Sequence, residues 1–229
     1  MRTLFAFDND GVLRDESSSY QRCIVETVTF LDKGIPASNE ELVESMKQSN
    51  NDWERAHKIL KQRGISVDFE TVKEHFQDLY LGKERNFTGY INDEPWLADN
   101  NLLAKLAKSH PLMIVSGSPK NEVEYTLKRN GASGYFSLIL GMYDCDGKKD
   151  GLEKAIAHFN PDEIFFCDDR PSPIGQVKGI KHCKIYVFGI IPPQANKGWH
   201  QVLKDAGAKE VFPNVKKYCQ YLIDYISKS

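Results

Sequence analysis

The stretch Leu4-Phe5-Ala6-Phe7-Asp8-Asn9-Asp10-Gly11-Val12-Leu13 decides the reading of this chain. Its apolar residues, Leu4 to Phe7, run directly into Asp-Asn-Asp-Gly. A short apolar run closed by a turn signal predicts a buried strand. The acids then lie just past the strand's carboxyl end, the edge at which open α/β sheets bind ligands. Asp8 and Asp10 are two residues apart and share a face on a regular strand. Gly11 frees the chain to turn away tightly behind them. Two carboxylates this close repel, and a divalent cation would offset the repulsion; oxygen ligands suit Mg²⁺. An Asp can also serve as a nucleophile by way of an aspartyl-phosphate. The plain structural alternative is a polar turn with Asp10 as a turn former.

Working outward, 229 residues allow one large domain or a core with a smaller module. Hydrophobic residues make up 41% and charged residues 27%, which places the chain among ordinary soluble globular proteins. The net charge of −2 gives no reason to expect a nucleic-acid partner or an anionic membrane surface. No apolar run reaches the roughly 18 residues of a membrane span, and the N-terminus lacks a signal-peptide layout. The cysteines (Cys23, Cys145, Cys167, Cys183, Cys219) are scattered, odd in number and without a C-x-x-C pair. A zinc site or disulfide framework is therefore not expected, and a reducing cytoplasm is the simpler location.

From Arg14 to about Glu94 the pattern is helical. Helices are expected over Gln21–Lys33, from Ser38-Asn39-Glu40-Glu41 (a capping box, Ser38 to Glu41), over Asp52–Arg63 and over Asp68–Leu81. Trp53, Phe69 and Phe76 fit the interior of this segment. Its place, between the first strand and the rest, suits a mobile lid that excludes water from a site. Arg14 and Glu16 are candidates for substrate contact there.

Three further features repeat the opening theme. Pro111-Leu112-Met113-Ile114-Val115-Ser116-Gly117-Ser118-Pro119 is a second short apolar strand, ending in small hydroxyl residues. A hydroxyl at Ser116 and open backbone at Gly117 can hold phosphate oxygens; Ser118 before Pro119 reads as a helix N-cap. Lys148-Lys149 precede a helix taken to be capped by Asp150. Lysines beside a helix N-terminus oppose its dipole unless an anion lies near. Glu163-Ile164-Phe165-Phe166-Cys167-Asp168-Asp169-Arg170 is a third apolar strand ending in acids. A doubly wound sheet would gather these strand ends at one edge. Strands are also expected over Tyr135–Met142 and Lys184–Ile190, and a last helix over Val215–Ile226.

These residues, in this order, resemble the motifs of the haloacid dehalogenase superfamily. Residues 1–14 and 96–229 resemble its core, and the tail resembles phosphoglycolate-phosphatase-like and phosphoglucomutase-like members. The resemblance implies a Rossmann-like α/β core with a doubly wound parallel sheet, built from 1–14 and 96–229, and an inserted all-helical cap over 15–95. It implies Asp8 as nucleophile, Asp10 as general acid/base, and Ser116 with Lys148 or Lys149 as phosphate-holding residues. It implies a Mg²⁺ site from Asp8, the Asp10 carbonyl, and Asp168 or Asp169. Many members carry another Asp three or four residues after the last pair, where this chain has Ser172 and Pro173.

The function implied is a Mg²⁺-dependent phosphatase acting on a small phosphorylated metabolite, as a monomer or small homo-oligomer without nucleic-acid or membrane partners. A sugar phosphomutase would use the same first residues. A non-catalytic phospho-ligand binding or regulatory protein is the alternative of a different class.

Overall fold

A computed structural model describes residues 2–49 and 51–228. The chain forms two compact units, residues 1–15 with 95–229 and residues 16–94.

The first unit is an α/β layer structure. Its strands are β1 (Thr3–Phe7), β2 (Leu112–Val115), β3 (Phe136–Leu140), β4 (Glu163–Asp168), β5 (Lys184–Ile190) and β6 (Glu210–Phe212). They form one parallel sheet in the order β3-β2-β1-β4-β5-β6. Successive strands run outward from β1 on one side, and the chain then returns to build β4, β5 and β6 on the other. Carboxyl ends at such a reversal open a crevice for ligands.

The sheet is covered on both faces, as parallel sheets generally are. Alternation along β1 sends Phe5 and Phe7 into one core with Val123, Leu127, Tyr218 and Leu222. Leu4 and Ala6 enter the other with Leu152, Ala155, Ile174 and Leu203. The unit's helices follow the strands in turn. They are Asn100–Ala107, Lys120–Arg129, Gly147–Phe159, Pro171–Gln176, Trp199–Ala206 and Val215–Ile226.

Some expected boundaries move. The helix after β3 begins at Gly147, so Lys148, Lys149 and Asp150 lie in its first turn. Asp150 does not cap it; its carboxylate accepts the Asp146 N–H at 2.9 Å. Ser118 is not the cap of the helix after β2 either: Pro119 holds that position without a side-chain bond. The strand β6 is built from only three residues, too few to stand out as an apolar run.

The second unit holds the helices Ser17–Leu31, Asn39–Gln48, Asp52–Gln62 and Phe69–Leu81. The Ser38–Glu41 capping box is present. The first of these helices starts earlier than its apolar pattern predicts. Ile24, Val28, Ala56, Ile59, Leu60, Val72, Phe76 and Tyr80 are buried in this unit. Trp53 and Phe69 are only half-buried: the Lys73 ammonium lies over Trp53, and Phe69 meets the His57 ring edge-on.

Arg63 ties three segments of this unit together. It donates to Asp32 at 2.7 Å, to Glu41 through Nε at 2.7 Å and Nη2 at 2.5 Å, and to the carbonyls of Ile35 and Pro36. Its hydrogen bonds pull the Glu41 carboxyl from 4.5 down to about 2. Stability from a depressed carboxyl is complete above the ordinary value and is lost as pH falls through the folded value. Thermal melts between pH 5 and pH 2 should show the wild-type protein losing stability across this window. Arg63→Met should be less stable at neutral pH and lose less on acidification. Parallel curves would contradict the assignment.

Candidate active site

The site begins where β1 ends. The Asp8 N–H donates to the Cys167 carbonyl at 3.0 Å and so extends the pairing with β4 by one residue. The chain then folds back on itself, the Asn9 carbonyl accepting the N–H groups of Val12, Leu13 and Arg14. Gly11 is required in this turn: its φ is +70°, and a Cβ there would lie 2.3 Å from Asp169 Oδ2.

Because β1, β2 and β4 are neighbours, Asp8, Ser116, Asp168 and Asp169 meet at one edge of the sheet. Asp8, Asp168 and Asp169 are all buried, with carboxylate oxygens within 4.8 Å of one another. Asp8 Oδ1 accepts the Asn9 N–H at 2.7 Å and a hydrogen bond from Lys148 Nζ. Lys148 also donates to the Val115 carbonyl and lies 3.5 Å from Asp168 Oδ2. Burial alone would lower the Lys148 pKa, but the charges of Asp8 and Asp168 reverse that and raise it. The ammonium is therefore held charged in a dry setting.

Asp168 Oδ1 accepts the Arg170 N–H at 2.9 Å, whereas its buried Oδ2 has no hydrogen-bond donor. Burial and the nearby Asp8 charge push the Asp168 carboxyl up to about 8, and Lys148 only partly opposes this. An all-oxygen donor set, a donor-less buried carboxylate oxygen and uncompensated negative charge fit a hard divalent cation such as Mg²⁺.

Asp10 is placed differently. Its carboxylate turns to Arg14 Nε and Asn9 Nδ2, each at 2.7 Å from Oδ1, and to the Ser118 hydroxyl at Oδ2. Burial would raise the Asp10 pKa, but Arg14 and Ser118 outweigh it and hold the carboxyl below the usual range. Ser116 is buried, and its Oγ accepts the Ser118 N–H at 3.0 Å. Gly117 beside it is exposed, with open space where a side chain would be.

Lys149 is not brought to this cluster. One residue along a helix is a rotation of about 100°, and Lys149 sits half-exposed with Glu153 at 3.9 Å. Arg14 is not free to meet substrate as expected: its side chain is fully buried behind Asp10. Glu16 is also buried. Arg170 lies at the rim, with Nε 4.0 Å from Asp169.

Several contributors carry little signal in the sequence. Asn9 braces both acids that flank it, and that position was itself the available signal. Ser118, which reads as a helix cap, donates its hydroxyl to Asp10 instead. Trp199, whose indole N–H donates to the Asp169 carbonyl at 3.0 Å, comes from a distant segment with no local signal.

Comparison with known proteins agrees with this architecture. The family model of haloacid dehalogenase-like hydrolases matches residues 5–183. An imidazoleglycerol-phosphate dehydratase from Phytophthora nicotianae is 27% identical over 149 residues, a stretch covering 62% of this chain and 32% of that protein. The chain thus spans well under half the length of this curated relative.

Among solved structures, a predicted phosphoglycolate phosphatase from Haemophilus somnus superposes with a TM-score of 0.74 at 19% identity, covering 96% of this chain and 98% of that one. A provisionally assigned beta-phosphoglucomutase from Thermotoga maritima gives 0.71 at 17% identity, covering 98% and 99%. A haloacid dehalogenase-like family hydrolase from Streptococcus pneumoniae gives 0.70 at 16%, covering 98% of each. At such identities the structures establish a shared fold. With the family model spanning most of its length, this chain belongs to the haloacid dehalogenase-like hydrolases.

Proposed function

We propose that the protein is a Mg²⁺-dependent phosphatase that hydrolyses a small phosphorylated metabolite through an aspartyl-phosphate. The observation that carries this reading is the Asp8 carboxylate, set at a strand end against Lys148 within the acid cluster. In this reading Asp8 attacks phosphorus, forming a bond to the carboxylate oxygen as the ester oxygen departs. In this role Asp10 acts from its protonated form, giving that proton to the departing oxygen and regaining one from the water that frees phosphate. Lys148, the Ser116 hydroxyl and the exposed main chain at Gly117 hold the transferring oxygens, chiefly by electrostatics in a water-poor setting.

Asp8, the Asp10 carbonyl, Asp168 and Asp169 would hold Mg²⁺, whose charge screens the carboxylate from the anionic substrate. Residues 15–95 are assigned as a helical cap that selects the substrate and excludes water. A cytoplasmic location fits the five free thiols, and among the described residues no helix is long and apolar enough to cross a membrane.

A sugar phosphomutase is the second reading, favoured by the fold shared with the Thermotoga maritima protein. It would return phosphate to a second hydroxyl instead of water. Phosphate release from a panel of monoesters, with Mg²⁺ and with EDTA, separates the two. The name of the Phytophthora nicotianae relative makes imidazoleglycerol phosphate one ester for that panel.

Release should require Mg²⁺ and should fall to background in Asp8→Asn, which keeps the side chain's shape but is a poor nucleophile. Wild-type rates in that variant would refute the mechanism. Isomer formation without net release would favour the mutase.

The two lysines should behave differently. Lys148→Ala should lose about a hundredfold or more in kcat, whereas Lys149→Ala should stay within about twofold of wild type, as expected of a solvated surface pair. Equal losses from both substitutions would displace Lys148 from the proposed role.

A further inference from the structure

Arg14 is a fully buried arginine in the first unit, and each nitrogen of its guanidinium has a side-chain partner there. Nε donates to Asp10 Oδ1 at 2.7 Å, Nη1 to the Thr126 hydroxyl at 3.3 Å, and Nη2 to the Ser118 hydroxyl at 3.3 Å. Ser118 in turn donates to Asp10 Oδ2. Both oxygens of Asp10 are therefore gripped by one small network, anchored by Ser118 ahead of the helix Lys120–Arg129 and by Thr126 within it. The main chain reinforces it: the Gly11 N–H donates to the Arg14 carbonyl at 2.9 Å, and the Arg14 N–H to the Asn9 carbonyl at 3.1 Å. Arg14 has no exposed side-chain surface, but Asp10 keeps 15% of its own. The network thus lies wholly behind the acid and leaves an edge of it open.

We infer that Arg14 is a positioning residue for the reaction: its planar fork sets where the Asp10 carboxylate stands, and it acts only through Asp10. This rests on the phosphatase reading, in which Asp10 moves protons at the ester oxygen and at water. A guanidinium suits the task because its donors diverge in one rigid plane, so that a bond to Asp10 and bonds to Thr126 and Ser118 are made together. A lysine would keep the charge but could not span the three partners with the same geometry. Proton transfer in a transition state needs the acid within hydrogen-bond reach of the atom it serves. A small displacement of Asp10 would be felt there and not in substrate binding.

The dependence on leaving group isolates this effect. A p-nitrophenolate departs without a proton, whereas an alkoxide needs one. The value of kcat/KM reports the steps up to departure of that group. Arg14→Gln and Arg14→Lys are each assayed with p-nitrophenyl phosphate and with the alkyl phosphate that the wild-type protein cleaves fastest. Melting curves report folding.

The loss in kcat/KM should be about tenfold or more greater for the alkyl ester than for the aryl ester in Arg14→Gln, and smaller but in the same direction in Arg14→Lys. KM should change little. Should Arg14→Gln fail to fold, Arg14→Lys and Thr126→Val carry the same comparison. Equal losses on the two esters, a greater loss on the aryl ester, or no loss would overturn the inference while leaving the phosphatase reading intact. Absence of any phosphate release by the wild-type protein would overturn both.

Discussion

Lys148 Nζ stands against the buried carboxylates of Asp8 and Asp168, with Asp169 close by, and the edge of the sheet is organised around that crowding of acids. Four carboxyl groups, those of Asp8, Asp10, Asp168 and Asp169, crowd together, with the buried cations Lys148 and Arg14 among them and Arg170 beside Asp169. Arg14 pairs with Asp10, Lys148 lies against Asp8 and Asp168, and Arg170 is 4.0 Å from Asp169. Charge in a dry environment is expensive unless paired. The elevated Asp168 carboxyl expresses the crowding directly. Under the proposed function, a divalent cation would relieve this crowding, and the anionic oxygens of a phosphoryl group would meet Lys148.

The fold makes that density of charge possible by supplying rigid neighbours. Asp8 and Asp168 extend from strands that are adjacent and parallel and that bury apolar side chains on both faces. Their main-chain groups are consumed by sheet pairing, and the carboxylates stand at the end with little freedom. Gly11 then lets the chain reverse so closely that Asp169 occupies the space a side chain would take. Preorganised groups of this kind need no rearrangement when charge develops, which is where electrostatic catalysis has its advantage.

What was legible in the sequence follows from the same physics. Strands buried on both faces read as unbroken apolar runs, so β1, β2 and β4 and the polar residues that end them stood out. The choice between Lys148 and Lys149 did not, because it depends on which face of a helix each residue takes. That phase is set by the helix start at Gly147, two residues before the lysine pair ends. Arg14 was misread for a related reason. A charged residue after an acidic turn is ordinarily solvated, and only the return of the chain past the turn brings Ser118, and Thr126 of the helix Lys120–Arg129, around it. Partners supplied from more than a hundred positions away leave no local pattern.

The departure from the family's usual pattern after Asp169 has a physical counterpart. Many members place another carboxylate where this chain carries Ser172 and Pro173. Here Pro171 opens a short helix whose first turn also contains Pro173, so the backbone direction is set by the two rings. The Arg170 N–H then points at Asp168 Oδ1, and Trp199 holds the Asp169 carbonyl from the other side. Both braces are neutral hydrogen-bond donors. An additional carboxylate would orient the same residues but would deepen the negative charge of a cluster already short of cations. Neutral donors orient the acids without adding to the repulsion among them, and the cluster can hold its geometry with fewer charges.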